Sequence, residues 1–211
     1  MGTLITIEGI DGAGKSTLAA ALAGSLTARG RPARVVREPG GVDLSERVRT
    51  LVADPALQVA PRAEALLYAA ARAQLVEELL RPALERDELL LLDRFSDSTL
   101  AYQGGGRGLG IEEMRRLDSF ATGGLVPNLT LLLRISPEAG RMRLDSRAEG
   151  ASAAVPDRLE REPEPFFAAV AAAYDQLAAA EPERIRVLDA TREPEQVLAA
   201  ALTAIEETGL G

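Results

Sequence analysis

The stretch IEGIDGAGKST, Ile7–Thr17, follows a short apolar run, Leu4–Ile7, and precedes Lys15–Arg29, where alanines and leucines recur at helical spacing up to Gly30. Gly9-x4-Gly14-Lys15-Ser16 therefore sits between a strand and a helix, the context that a phosphate-binding loop requires. Glycines at 9, 12 and 14 let backbone N–H groups face phosphate oxygens, and the helix N-terminus adds its dipole. Lys15 is spaced to reach the β- and γ-phosphates, and the Ser16 hydroxyl to bind Mg²⁺. Asp11 is the odd member. A carboxylate facing only phosphates is repelled by them, so a sugar hydroxyl or hydrated Mg²⁺ offering hydrogens is expected beside it, unless it is a turn residue pointing into solvent.

Outward from this loop, strand and helix patterns alternate. Ala33–Arg37 reads as a second strand ended by EPGG, and Leu44–Val52 as a short helix. Pro61–Glu85 is a long helical pattern in which Pro82 predicts a kink or a stop. ELLLLDRF has the uninterrupted apolar run of a strand buried on both faces, and LTLLLRIS and RIRVLDA repeat the theme. Helices are expected over Ile111–Thr122, Pro137–Arg147, Glu160–Ala180 and Pro194–Glu207. This order gives an α/β fold, a doubly wound parallel five-stranded sheet flanked by helices, with ligands at the carboxyl ends of the strands. The length of 211 residues suits one domain, 1–211. RAEGASAAVP, small, polar and punctuated by Gly and Pro, reads as a mobile loop, and a lid is expected at about 143–157.

Composition narrows the chemistry. Lys and Arg number 24 against 32 Asp and Glu, a net charge of −8, the wrong sign for a general binder of nucleic acid or of an anionic membrane. There is no Cys and no His, which removes disulfides, thiolate and imidazole metal sites and every Cys- or His-based triad. What remains is carboxylates, Lys, Arg, hydroxyls, backbone amides and hard cations. The N-terminus lacks a basic region followed by a long apolar core, and no run approaches the ~18 apolar residues of a membrane span, so a soluble, cytoplasmic protein is expected.

Asp93 ends the buried strand LLLLD, where a carboxylate can hold Mg²⁺ directly or through water, or cap the helix that follows. Arg94 is next to it. An Asp–Arg pair beside a phosphate loop suits phosphoryl transfer, which needs positive charge more than a proton acceptor.

Five ordered clusters, EGIDGAGKST, REPGG (37–41), AARAQL (70–75), DRFSDSTLAYQGGGRG (93–108) and DRLE (157–160), resemble bacterial thymidylate kinases over nearly the whole chain. The resemblance implies a nucleoside-monophosphate-kinase-like P-loop fold, Mg·ATP as donor, thymidine monophosphate (dTMP) as acceptor, and a homodimer. It implies a donor site of Gly9, Gly12, Ala13, Gly14, Lys15, Ser16 and Thr17, with the metal at Ser16 and Asp93. On the acceptor side it implies Tyr68 stacking on thymine, Arg72 at the base edge one turn further along the same helix face, and Thr99 and Gln103 as polar base contacts. Spacing alone leaves Tyr68 open as a core aromatic and Arg72 as a solvated salt bridge. Tyr102 falls where the family's ring excludes a ribose 2′-hydroxyl, and Asp11 where it contacts the 3′-hydroxyl.

By the same resemblance Arg37 and Arg94 clamp the acceptor phosphate, with Glu38 orienting a clamp arginine, while Lys15 and a lid arginine neutralise the transferred group. GIDGAG holds no basic residue, which resembles the type whose lid supplies that arginine. Arg147 is the first choice and Arg143 the second, with Arg141 and Arg158 open. Phe95 stands where the family often has tyrosine, and Arg107 either contacts ligand or caps a turn. Another nucleoside or nucleoside-monophosphate kinase, or a P-loop switch that hydrolyses ATP slowly, are the rival readings. Thr99, Tyr102 and Gln103 argue against the first, and the DSTLAYQGGG cluster would be idle in the second.

Overall fold

The apolar runs become strands: β1 (Thr3–Glu8), β2 (Ala33–Arg37), β3 (Leu89–Asp93), β4 (Leu129–Arg134) and β5 (Ile185–Asp189). Among the residues described by the computed structural model, 2–150 and 157–210 with the side chains of 147–150 excepted, they form one all-parallel sheet in the order β2-β3-β1-β4-β5. In register, Asp93 lies opposite both Ile7 and Arg37, so the carboxyl ends of β1, β2 and β3 finish level beneath the glycine loop. The chain order reverses at β1, which makes this edge the switch point where open parallel sheets bind ligands.

Alternation along each strand fills two cores. Ile5, Ile7, Leu89 and Leu91 pack with Leu22 and Val170, whereas Leu4, Leu90 and Leu92 pack with Leu75, Leu80 and Phe95. The helices behind the first core include α1 (Lys15–Ala28) and, later in the chain, α8 (Glu164–Ala180) and α9 (Pro194–Glu207). The second core lies under α3 (Pro61–Leu75), after α2 (Asp43–Ala53) has covered part of the outer face of α3. Leu90, Leu91 and Leu92 have no exposed surface, and each such side chain contributes roughly 1.5–3 kcal/mol of transfer free energy.

Four stretches differ from the sequence expectation. The long helix at 61–85 does not stop at Pro82. It widens into a π-helical turn, Val76–Leu80, and resumes as α4 (Arg81–Glu85), so the missing N–H and the ring of Pro82 are absorbed by slack one turn earlier. Residues 96–106, to which sequence patterning assigns no element, form α5 (Ser96–Thr99) continued by a π-helical segment, Leu100–Gly106. Three consecutive glycines argue against helix locally, but here they admit a neighbour. A Cβ at Gly105 would stand 2.6 Å from Ala173 Cβ, and one at Gly106 would stand 2.6 Å from the Phe166 ring.

After α6 (Ile111–Thr122), α7 runs Pro137–Gly150, three residues beyond the expected helix end at Arg147, so that residues 148–150 of the expected lid are helical as well. The rest of that expected loop, 151–156, lies outside the described residues. α8 (Glu164–Ala180) begins four residues later than expected, because residues preceding Pro163 and Pro165 disfavour helical angles. α9 (Pro194–Glu207) is as expected.

Candidate active site

Gly9, Gly12 and Gly14 all take positive φ (138°, 79° and 97°), so the loop wraps back on itself to start α1 at Lys15. A Cβ on Gly12 would run into the carbonyl of Gly140, and one on Gly140 would stand 2.7 Å from the Asp11 carbonyl. α7 therefore rests backbone to backbone on the phosphate loop. Lys15 folds over the loop and donates from Nζ to the Ile10 carbonyl (2.9 Å), with Asp11 at 4.0 Å. Burial, aided by the Arg94 charge, lowers its ammonium pKa to about 8. Ser16 Oγ donates to Asp93 Oδ2 at 2.5 Å. These adjacent oxygens are hard donors of the kind that divalent Mg²⁺ prefers.

Next to this cradle, Arg94 takes a left-handed backbone angle, φ 72°, uncommon for a residue with a side chain. Glu8, fully buried at the end of β1, holds the turn: it accepts from the N–H of Phe95 (2.8 Å), the N–H and Oγ of Ser98 (3.3 and 2.6 Å), and the Tyr174 hydroxyl (2.8 Å). The turn aims the Arg94 guanidinium at Asp11, with which it forms a close ion pair, and at the Tyr102 hydroxyl (3.1 Å). Tyr102 in turn donates to Asp11 Oδ2 (3.0 Å). Burial acts to raise the Asp11 pKa, but Arg94, Lys15 and the Tyr102 bond outweigh it and hold the carboxyl below its ordinary value. The repulsion expected of a carboxylate in this loop is thus offset within the protein by Arg94 and Lys15. A sugar hydroxyl is not needed for that purpose.

Three cavities converge here. One of about 630 Å³ runs from Gly12, Gly14 and Thr17 past Arg143 to Thr191 and Arg192. A second of about 200 Å³ is walled by Asp11, Tyr68, Arg72, Thr99, Tyr102 and Gln103. A smaller one of about 190 Å³ lies between them, over Lys15, Ser16, Arg37, Arg49, Asp93 and Arg94. Asp11 lines both of the latter two. Tyr68, Arg72, Thr99, Tyr102 and Gln103, drawn from α3 and the 96–106 segment, are thereby brought to one wall.

The partners of several expected site residues are now visible. Glu38 Oε2 accepts from Arg72 Nε (2.8 Å), and among the described residues its Oε1 is buried without a partner in the wall of the second cavity. Arg72 is neither a solvated salt bridge nor a free base-edge donor. It is 3% exposed and also donates to Thr99 Oγ1 (2.7 Å), Asp118 Oδ1 (2.5 Å) and the Phe95 carbonyl (2.9 Å). Phe95 needs no hydroxyl there, because its ring lies 5.3 Å beneath that guanidinium.

Arg37 pairs with Glu46 (3.0 Å), and Arg143 donates to the Ala190 carbonyl (2.8 Å) while lining the large cavity. Arg141 donates to the Glu160 carbonyl (3.0 Å). Arg158 turns away from the phosphate loop, donating to the Val52 carbonyl (3.0 Å) with Nη2 2.7 Å from Glu64. The side chain of Arg147 lies outside the described residues.

Sequence reading missed Glu8, Glu46, Arg49, Glu64, Asp118 and Arg192. Glu64, without exposed surface, accepts from Gln103 Nε2 (2.8 Å) and from Arg107 (3.1 and 2.9 Å). Burial acts to raise its pKa, but the bonds from Arg107 and Gln103 and the Arg107 charge prevail and keep it below the ordinary value. Each is an unremarkable charge in the sequence, and only the fold supplies its partner.

A family model described as thymidylate kinase matches residues 7–201. A thymidylate kinase of Deinococcus radiodurans is 48% identical over 208 residues, 99% of this chain and 98% of that one. The thymidylate kinase of Lactobacillus delbrueckii subsp. bulgaricus is 42% identical over 98% of this chain and 97% of its own length, and that of Bacillus licheniformis 43% identical over 98% and 96%.

Proposed function

The chain belongs to the thymidylate kinase family and phosphorylates dTMP to dTDP with ATP, and we propose how its residues divide that work. The observation that carries the proposal is the convergence of the two outer cavities on one shared space at Lys15, Asp93 and Arg94. ATP occupies the cavity past Thr17, Arg143 and Arg192, with its phosphates on the amides of Gly12–Thr17. dTMP occupies the cavity walled by Tyr68, Arg72, Thr99 and Gln103, and its phosphate points at Arg37, Arg49 and Arg94.

No residue is needed as a general base, since the acceptor phosphate is anionic at neutral pH. The protein's task is alignment and charge. Lys15 leaves the Ile10 carbonyl for the transferred group, and Arg94 holds the acceptor oxygen in line, braced by Asp11 and Tyr102. Ser16 and Asp93 fit Mg²⁺, which supplies charge neutralisation at the β- and γ-phosphates when bound. Arg147 remains our assignment for the lid arginine, with Arg143 as second choice.

The single 1–211 domain is read as a homodimer in the cytoplasm. Exposed Leu44, Leu51, Leu66 and Phe120 on the adjoining helices α2, α3 and α6 support an apolar face for the second copy. Among the described residues no helix is long and apolar enough to cross a membrane.

The test is ADP production from Mg·ATP with dTMP against the deoxyuridine, uridine, deoxycytidine, guanosine and adenosine monophosphates and against no acceptor. Strong preference for dTMP supports the pocket assignment. Preference for another monophosphate overturns it, and turnover indifferent to acceptor would indicate a hydrolytic switch.

A further inference from the structure

Gln103 is one of the residues facing the acceptor cavity, and its amide can be read in two ways, oxygen or nitrogen toward the ligand. The neighbour behind it settles the choice. Glu64 Oε1 lies 2.8 Å from the amide, and an ionised carboxylate only accepts hydrogen bonds. The NH₂ must therefore face Glu64, which leaves the carbonyl oxygen as the atom available to the cavity. Two arginines make Glu64 a fixed acceptor: Arg107 donates from Nε and Nη2, and Arg158 approaches to 2.7 Å. The depressed pKa of Glu64 agrees with an ionised group at neutral pH.

We propose that Glu64 is a specificity-positioning residue: by fixing the Gln103 amide it presents a lone hydrogen-bond acceptor to the base, and so selects bases that carry an imino N–H. This rests on the reading above that Gln103 faces the base. Thymine and uracil offer N3–H as a donor beside the O4 acceptor, whereas cytosine offers an N3 acceptor beside an amino donor. A cytosine would set its N3 lone pair against the Gln103 oxygen, and an unpaired buried polar group is the costliest kind of mismatch. Glu64 touches no ligand itself. The same carboxylate also stands 2.7 Å from Arg158 Nη2, on the segment that follows residue 156.

Glu64→Gln tests this. The Oε2 position faces two guanidinium nitrogens, Arg107 Nη2 and Arg158 Nη2, so the new amide oxygen takes it; the NH₂ then stands at the Oε1 position, where it gives up the Arg107 Nε bond and falls against Gln103, which must turn its own oxygen inward. The nitrogen of Gln103 now faces the cavity. The ratio of kcat/KM for dTMP over dCMP is expected to fall at least about tenfold, one lost hydrogen bond's worth of discrimination. An equal fall for both substrates, leaving the ratio unchanged, is what a structural role gives and overturns the proposal.

Gln103→Ala is measured in parallel. If it leaves the ratio unchanged, Gln103 does not read the base and the pocket assignment itself has failed. Should Glu64→Gln not fold, the side-chain amide of Gln103 in the unsubstituted protein is followed by ¹⁵N–¹H NMR. Protected protons shifted from the free-glutamine position are expected. A resonance typical of a freely rotating glutamine overturns the proposal.

Discussion

The donor cradle and the acceptor pocket meet at Asp11 but are built on different principles. The cradle is one contiguous segment, Gly9–Thr17, whose contacts come from backbone amides fixed by positive-φ glycines. The pocket is assembled from side chains on β2's following loop, α3, the 96–106 segment and α6, held in place by buried carboxylates 34, 39 and 46 residues from their partners. A backbone cradle is specified by a short motif and tolerates little variation. A side-chain pocket is specified by pairings across the fold, and can be retuned one pair at a time. Phosphate recognition is accordingly general, and base recognition particular.

The contrast is tested most severely by Lys15→Ala, which removes the cradle's one side-chain charge on the transferred group. kcat should fall about 10³-fold, comparable to loss of a strong transition-state donor, with KM for dTMP little changed. A matching rise in KM would mean that the two regions are not separable. Arg72→Ala strikes the other side and leaves Glu38 and Asp118 buried without their cation. A loss of about 3–5 kcal/mol is expected by denaturant titration, and a stability near that of the parent would show that water replaces the guanidinium there.

Arg147→Ala should lower kcat by about 10²-fold without weakening dTMP binding if the lid completes the donor side. Unchanged turnover transfers the role to Arg143. Tyr102→Ala should narrow the preference for deoxyribose over ribose acceptors. A constant ratio in that assay would leave the ring's task as bracing Arg94 and Asp11.

The smallest effect at pH 7 is expected of Glu8→Gln. Burial and Asp97 raise the Glu8 pKa to about 7, against the lowering influence of Ser98, Arg94 and the Phe95 N–H. The native state therefore binds this proton more tightly than the unfolded chain. Its contribution to stability is complete below about pH 4.5 and is lost as pH rises through 7. Glutamine mimics the protonated form, with the Ser98 and Tyr174 hydroxyls free to accept, so this part of the pH dependence should vanish in thermal melts across that window. A slope identical to the parent's would place the titration elsewhere.

The same contrast explains what the sequence disclosed. Strands were legible because Leu89–Leu92 is apolar without interruption and Leu129–Leu133 is broken only by Thr130, and the phosphate loop because its function is written in consecutive residues. Tyr68, Arg72, Thr99 and Gln103 could be placed near one another by helical spacing and family resemblance. Their holders could not, since nothing local distinguishes Glu64 or Asp118 from a solvated acid. The helix at 96–106 was hidden by its glycines, whose local cost is outweighed by the contact they permit with α8. The partner of Glu38 was hidden for the reverse reason: its neighbour in sequence is Arg37, but its partner in space is Arg72.

The glycine contact between the phosphate loop and α7 has a mechanical meaning. Gly12 and Gly140 touch without side chains between them, so α7 meets the loop at a fulcrum rather than along a padded face. From Gly140 to its end at Gly150 the helix is a rigid arm roughly 15 Å long. A tilt of about 10° at the pivot carries the far end through roughly 2.6 Å at that arm length. Any tilt about this contact would be magnified at the far end as by a lever, and an added methyl at either glycine would jam the bearing.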